Sequence, residues 1–136
     1  MKKGFTLIEI LVVVTIISLL TSFAVVSYTQ LSKQSRDARR KTDLEQIRAA
    51  LEMYRSNNNE YYSAIFNNNC NNVTWLTSYI ATMPSDPKSL PRYYRCYILA
   101  NDYTLGAYLE TGGTVSCMNF CGGVNCNYCV GPYGEK

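Results

Sequence analysis

Residues 5–26 read FTLIEILVVVTIISLLTSFAVV, and Glu9 is the only charged residue among them. At about 1.5 Å of rise per residue, an α-helix of this length spans about 33 Å, enough to cross the hydrocarbon core of a membrane. A carboxylate within hydrocarbon costs about 2 to 3 kcal/mol on insertion scales. The stretch therefore predicts a transmembrane helix whose single acidic residue needs its own explanation.

Two ordinary interpretations of this segment exist. A secretory signal peptide fits Lys2, Lys3 and the small-x-small sequence at 22–24, but the apolar run continues to Val26 and such a signal has no use for Glu9. A simple membrane anchor would tolerate an acid near the helix end if the side chain reached back to the interface. Neither interpretation gives the carboxylate of Glu9 a function.

The residues KKGFTLIEI at positions 2–10, with the apolar run behind them, resemble the class III signal of type IV pilins and type II secretion pseudopilins. The similarity covers roughly the first 55 residues well. It implies that a prepilin peptidase cuts between Gly4 and Phe5, that Phe5 is then N-methylated, and that the apolar helix is retained. It also implies that Glu9 meets the Phe5 amine of a neighbouring subunit, so that two costly charges compensate each other.

By the same resemblance, the chain is a structural subunit that polymerises with itself into a type IV pilus or a pilus-like filament. The implied partners are the prepilin peptidase, an assembly platform and its ATPase, and the membrane that holds each subunit before assembly. The implied location is the inner or cytoplasmic membrane as a single-pass protein, and afterwards a filament at the cell surface or outside the cell. A secretion pseudopilus and a DNA-uptake filament stay open as alternatives.

Composition excludes several classes of function. The 136 residues contain no histidine, which excludes His-based acid/base chemistry, His metal ligands and a Ser/His/Asp nucleophile. We therefore predict no enzyme and no cofactor. The net charge of +3 is too small to indicate nucleic acid as a partner. Two other hypotheses remain, namely a monomeric membrane-anchored binding module and a small secreted disulfide protein released at Ala24.

The chain from 28 to 54 lacks proline and glycine and is rich in helix formers. We predict one helix from Phe5 to about Ser56, whose last third packs under a head. The stripe that would pack there recurs at helical spacing and comprises Leu44, Ile47, Leu51 and Tyr54.

The middle of this helix is polar, because Ala38 is the only apolar residue between Ser32 and Asp43. We expect this part to have nothing to pack on and to present a solvated face; pairing between subunits and contact with anionic lipid headgroups are the alternatives. A count of flanking charges places the N-terminus outside the membrane, whereas the family signal places it at the cytoplasmic face. The cations that follow the span are Lys33, Arg36, Arg39, Arg40 and Lys41.

Beyond the helix, residues 57–75 are rich in asparagine and show no periodicity, which predicts a loop. Residues 75–80 predict a helical turn, which ends before the Pro-rich segment 83–91. YYRCYIL (93–99) and YTLGAYLE (103–110) predict a β-hairpin, with 114–118 as a third strand. The residues predicted to face inward are Cys96, Ile98, Leu105, Ala107 and Leu109.

Six cysteines in so short a head indicate an oxidising compartment and disulfide bonds. The grouping of the cysteines along the chain favours one bridge between Cys70 and Cys96 and two bridges among the four cysteines of the C-terminal tail. An all-thiolate zinc site in the tail is the alternative, along with free or redox-active thiols, but we predict no metal. The six candidates are Cys70, Cys96, Cys117, Cys121, Cys126 and Cys129.

The predicted fold class is α+β. We expect a leader peptide at 1–4 and a long N-terminal helix at 5–56, of which 5–26 is the transmembrane and assembly segment. A globular pilin-like head at 57–136 follows, with a small antiparallel sheet and a disulfide-rich C-terminal loop.

The Gly4–Phe5 junction makes a prediction about processing. Protein isolated from cells is expected to begin at Phe5 and to carry one added methyl group, which intact-protein mass spectrometry measures directly. A chain that begins at Met1, or at Val25 after the small-x-small site, would contradict the resemblance.

Overall fold

The computed structural model describes residues 4–62, 66–88, 90–112 and 116–136 of the chain. It has the predicted α+β architecture, with one long helix and a small antiparallel sheet. Two compact units divide at residue 34, Met1–Gln34 and Ser35–Lys136, and the helix contributes to both. The elements in these described parts are α1 (Leu7–Asn58), β1 (Phe66–Asn69), β2 (Arg95–Ile98), β3 (Tyr103–Ala107), β4 (Tyr128–Gly131) and β5 (Gly134–Glu135), with a 3-10 turn at Cys70–Asn72.

Helix α1 begins and ends within two residues of the predicted bounds. No proline or glycine interrupts it, and it ends where Asn59 adopts a left-handed φ of 62° and donates its N–H to the carbonyl of Arg55 at 2.8 Å. The predicted stripe is confirmed, because Leu44, Ile47 and Leu51 are fully buried. The second part of the helix is therefore one wall of the core.

The five strands form one antiparallel sheet in the order β1-β2-β3-β4-β5. The predicted hairpin is β2 and β3, in which Cys96 pairs with Leu105 and Ile98 with Tyr103. Because side chains alternate between the two faces of a strand, one face of this hairpin closes the core against α1. The buried residues on that face are Cys96, Ile98, Tyr103, Leu105 and Ala107.

Strand β1 corrects the prediction of a continuous loop over residues 57–75. Asparagine is a poor strand former, so FNNN carries no local strand signal. The strand pairs with β2 from Phe66–Ile98 to Asn69–Arg95. The Cys70–Cys96 disulfide, which comes directly after β1 in the chain, holds this pairing in place. The predicted helical turn after the loop is present, with the N–H of Ile80 bonded to the carbonyl of Leu76 at 3.0 Å.

The predicted third strand at 114–118 is wrong in its described part; Thr114 and Val115 lie outside the described residues. Met118 makes only an isolated bridge with Cys126. The place beside β3 is taken by β4, which pairs Val130 with Leu105. The C-terminal tail is thus a strand pair as well as a disulfide-bonded loop.

The cysteines pair in the groups that the sequence favours, Cys70–Cys96, Cys117–Cys129 and Cys121–Cys126. The loop closed by the last bridge lies against the Pro-rich segment. A side chain at Gly122, whose φ is 81°, would overlap the backbone of Pro91. The tail, whose own shape is fixed by its two disulfides, therefore packs closely on the Pro-rich segment at Gly122.

A buried ionic cluster overturns the prediction that the polar middle of the helix is solvated. Arg40 is 0% exposed, and its Nε and Nη2 donate to Asp86 at 2.7 and 2.9 Å. Its Nη1 donates to Asp37 at 2.8 Å and to Glu110 at 2.9 Å. We call the residues of this group the Arg40 cluster, which consists of Arg36, Asp37, Arg40, Asp86, Lys88 and Glu110.

The remaining members of the cluster complete its charge balance of three cations and three carboxylates. Glu110 accepts two bonds from Arg36, at 2.8 and 2.9 Å, and pairs with Lys88 Nζ at 2.9 Å. The hydrogen bonds from Arg36 are the main reason that the pKa of Glu110 lies well below its ordinary value, although burial opposes the shift. Asp37 accepts the backbone N–H groups of Glu110 and Thr111 at 2.9 and 2.8 Å.

Two buried tyrosines make further polar bonds between the sheet and the helix. The hydroxyl of Tyr94 donates to Asp43 at 2.6 Å, and that of Tyr103 donates to Glu52 at 2.8 Å. Burial, followed by these carboxylates, raises the pKa of both phenols. The rings fill the core while the hydroxyl groups keep hydrogen-bond partners.

Replacement of Arg40 by methionine is expected to lower the free energy of unfolding by about 3 to 5 kcal/mol, because it leaves buried carboxylates without their shared cation. Denaturant unfolding of the full chain in detergent micelles measures the change. The matched control is Arg48→Met, which removes a partly exposed cation that pairs with Glu45 and also interacts with Tyr103, and which should cost less than about 1 kcal/mol. Equal losses in the two variants would contradict a special role for Arg40.

Candidate functional site

The described residues of the N-terminal unit present an exposed apolar surface. Every residue from 4 to 31 is exposed, and Phe5 is 85% exposed. Among the described residues, α1 is the helix long and apolar enough to cross a membrane, with a mean hydropathy of 2.6 over its most apolar window. A surface of this kind requires lipid or other protein chains around it.

Five hydroxyl groups of this segment, those of Thr15, Ser18, Thr21, Ser22 and Thr29, donate to carbonyls of the helix itself. Thr15 Oγ1 donates to the carbonyl of Val12 at 2.8 Å, and Ser18 Oγ donates to the carbonyl of Val14 at 2.7 Å. Thr21 bonds its own helix in the same way. Such internal bonds allow hydroxyl side chains to enter an apolar medium without an unpaired polar group.

Glu9 and Thr6 form a capping box at the start of α1. The Thr6 N–H and Thr6 Oγ1 donate to Glu9 Oε2 at 2.8 and 2.7 Å, while the Glu9 N–H donates to Thr6 Oγ1 at 3.3 Å. Thr6 is the N-cap, because its carbonyl accepts the N–H of Ile10 at 3.4 Å. The box satisfies N–H groups that the first turn of any helix leaves without partners.

This bonding gives Glu9 a role inside its own chain that the sequence analysis missed. The signal was present, since TLIE at 6–9 is the T-x-x-E pattern of a capping box. Both bonds go to Oε2, and among the described residues no donor reaches Oε1. One carboxylate oxygen therefore caps the helix while the other is available to a partner.

Glu9 also lies in a shallow recess on one face of the helix. The recess has a volume of about 430 Å³, and apart from the acid its lining is apolar: Phe5, Ile8, Glu9, Val12 and Val13. A positive group that entered it would meet one carboxylate beside apolar side chains, and the two charges would interact more strongly than in water once lipid or other helices surrounded them.

The structure places the other predicted site residues as follows. Gly4 and Phe5 are both exposed, and a Cβ added at Gly4 would meet nothing within 4 Å. The six cysteines all belong to the unit Ser35–Lys136 and are joined in disulfides. Over the described ranges, no group of three or more Cys, Asp or Glu residues is arranged to hold a metal ion.

Comparison with known proteins gives two matches. A family model described as the prokaryotic N-terminal methylation motif matches residues 1–25. The type II secretion system core protein G of Pseudomonas aeruginosa is 32% identical over 126 residues, which cover 83% of this chain and 89% of that protein. No solved structure matches the chain.

Replacement of Thr6 by valine is expected to loosen the first turn of α1, because it removes the hydroxyl that both donates to Glu9 and accepts from it. Loss of an N-cap costs about 1 kcal/mol, so amide hydrogen exchange at residues 7–10 should accelerate roughly fivefold. Exchange in detergent micelles measures this. Thr6→Ser keeps the hydroxyl and is the control. Unchanged exchange in Thr6→Val would contradict the capping role.

Proposed function

The chain belongs to the family of type IV pilins and type II secretion pseudopilins, and on that premise we propose that it polymerises into a type IV pilus or a closely related filament after removal of residues 1–4. Members of this family are structural filament subunits rather than enzymes. One observation carries the proposal: an apolar helical surface, exposed along residues 4–31, is interrupted by a single carboxylate at its start.

Cleavage between Gly4 and Phe5 would create the positive group that this surface lacks. The new amine at Phe5 keeps its positive charge after methylation and lies four residues from Glu9. In a stack of helices, Glu9 Oε1 of one subunit would accept a hydrogen bond from the Phe5 amine of the next, while Oε2 continues to cap the helix. Such a charge-assisted bond in apolar surroundings is shorter and stronger than a neutral one.

The same arrangement describes two stages for the subunit. Before assembly, the apolar helix anchors the chain in the inner or cytoplasmic membrane, with the Gly4–Phe5 junction at the cytoplasmic face for the prepilin peptidase. Afterwards, neighbouring helices replace lipid around residues 5–26 and the heads face outward. An assembly platform and its ATPase would supply the work of extraction.

A second candidate is a pseudopilus of a type II secretion system. The relative in Pseudomonas aeruginosa bears that system's name and is similar over most of both chains, which favours this assignment. The two candidates share the assembly chemistry of Phe5 and Glu9. They differ in whether the filament extends from the cell surface, which electron microscopy of cells with and without this chain distinguishes.

Replacement of Glu9 by leucine is expected to leave the subunit level in the membrane unchanged or higher, because a costly acid becomes a good membrane residue. Filament yield should nevertheless fall to near zero, since the neighbour's amine would enter the bundle unpaired, at a cost of about 3 to 5 kcal/mol. Glu9→Gln should give an intermediate yield, because an amide oxygen accepts the bond without the charge. Filaments are sheared from cells and compared with the membrane fraction.

The matched control is Thr21→Leu, which makes the same change from polar to apolar in the same helix without removal of a charge. Its filament yield should equal that of the unaltered chain. Normal filaments from Glu9→Leu at an unchanged membrane level would show that the acid has no part in assembly.

A further inference from the structure

The sheet has a second face, opposite the one that packs on α1, and a cleft lies on it. Side chains alternate along β2, so Arg95 and Tyr97 point away from the core that Cys96 and Ile98 enter. The cleft has a volume of about 290 Å³. It is lined by Asn67, Arg95, Tyr97, Thr104, Cys117, Met118 and Asn119.

The floor of the cleft is a row of polar side chains across three strands. Asn67 of β1 pairs with Tyr97 of β2, which pairs with Thr104 of β3. Together they offer an amide, an aromatic ring with a hydroxyl, and an aliphatic hydroxyl. These groups both donate and accept hydrogen bonds, as recognition of a polyhydroxylated ligand requires.

The wall of the cleft is the disulfide-bonded tail, which packs directly on the sheet at Gly106. That residue is opposite Arg95, and a Cβ there would stand 2.9 Å from Cys126 Sγ and 3.1 Å from Met118 Sδ. The absence of a side chain at Gly106 therefore lets the tail approach closely. The Cys117–Cys129 disulfide joins this wall covalently to β4.

Arg95 is the one charged residue among those that line the cleft, and its charge is not neutralised. Its Nε donates to Asn67 Oδ1 at 3.0 Å, and its Nη1 lies 3.5 Å from the Tyr93 hydroxyl. In the described parts of the chain, no carboxylate lies within 4.0 Å of it, in contrast to Arg40 and Arg48. A half-buried guanidinium with unused donors is suited to an anionic group, which it can bind with two parallel hydrogen bonds.

We propose that this cleft binds one sugar unit that carries a carboxylate, with the carboxylate on Arg95, the sugar ring against Tyr97, and the ring hydroxyls bonded to Asn67 and Thr104. The volume is at the lower limit for small-molecule pockets, which restricts the ligand to about one sugar ring. The proposal goes beyond filament assembly and stands independently of it, because none of these residues belongs to the N-terminal segment. The chemical class of the ligand is therefore an acidic sugar, as in an acidic polysaccharide.

The experiment titrates the full chain in detergent micelles with glucuronate, glucose and inorganic phosphate, and follows binding by calorimetry. We expect glucuronate to bind at least about tenfold more tightly than glucose, since a hydrogen bond between charged groups contributes more than a neutral one. Arg95→Gln should weaken glucuronate binding by about tenfold or more and leave the weak binding of glucose unchanged. Tyr97→Ala should weaken both sugars. Arg48→Gln, which lies on α1 outside the cleft, should bind as the unaltered chain does.

Three results would overturn the proposal. Equal affinity for glucuronate and glucose, or no binding of either, would remove the acidic sugar as the ligand. Unchanged glucuronate binding in Arg95→Gln would show that the ligand binds elsewhere. Phosphate bound as tightly as glucuronate would show a simple oxyanion site in which Tyr97 and Thr104 take no part. Because the side chain of Arg95 is half-exposed, its replacement should leave the unfolding temperature unchanged. This measurement serves as a control that weaker binding in the variant does not come from unfolding.

Discussion

The fold of the head depends on the buried guanidinium of Arg40, whose charge must be paired with carboxylates. Arg40 has no access to water, and a charge buried without partners would cost more than a folded domain of this size can supply. Its partners come from the helix, the Pro-rich segment and the end of the hairpin, as Asp37, Asp86 and Glu110. Each of those segments must therefore place its carboxylate next to the Arg40 guanidinium. The hydrogen bonds of this cluster, at 2.7 to 2.9 Å, fix the positions of the groups they join.

The rest of the head is arranged around the Arg40 cluster. The stripe from Leu44 to Leu51 packs on the inward face of β2 and β3, and strand pairing places β4 beside β3, with the Cys117–Cys129 disulfide joining the rest of the tail to β4. Buried ion pairs are often no more stabilising than apolar residues of similar size, so the contribution of the Arg40 cluster is to specify one arrangement rather than to add bulk stability. The apolar core supplies the driving force, and the cluster adds hydrogen bonds that join the helix to Asp86 and Glu110 at fixed distances.

In the N-terminal unit, polar groups find hydrogen-bond partners as they do in the head, whereas the apolar side chains are exposed rather than buried. Five of its hydroxyl groups bond their own helix, and Glu9 caps the first turn through Thr6. Its described apolar side chains are exposed. The segment is therefore incomplete as an isolated protein, and it becomes complete only in a membrane or among other copies of itself.

Local chemistry, legible in the sequence, determined the helix from Leu7 to Asn58, the β2–β3 hairpin with its alternating face, the grouping of cysteines and the N-terminal methylation motif at residues 1–25. Each of these depends on residues close together in the chain. Tertiary structure alone decided β1, β4 and the Arg40 cluster. Residues 66–69 are asparagine-rich and become a strand only because β2 and a disulfide hold them. Arg40 and Glu110 lie 70 residues apart, and no local pattern shows that two such charges will meet, because periodicity reports which face a residue occupies and not what the fold brings against it.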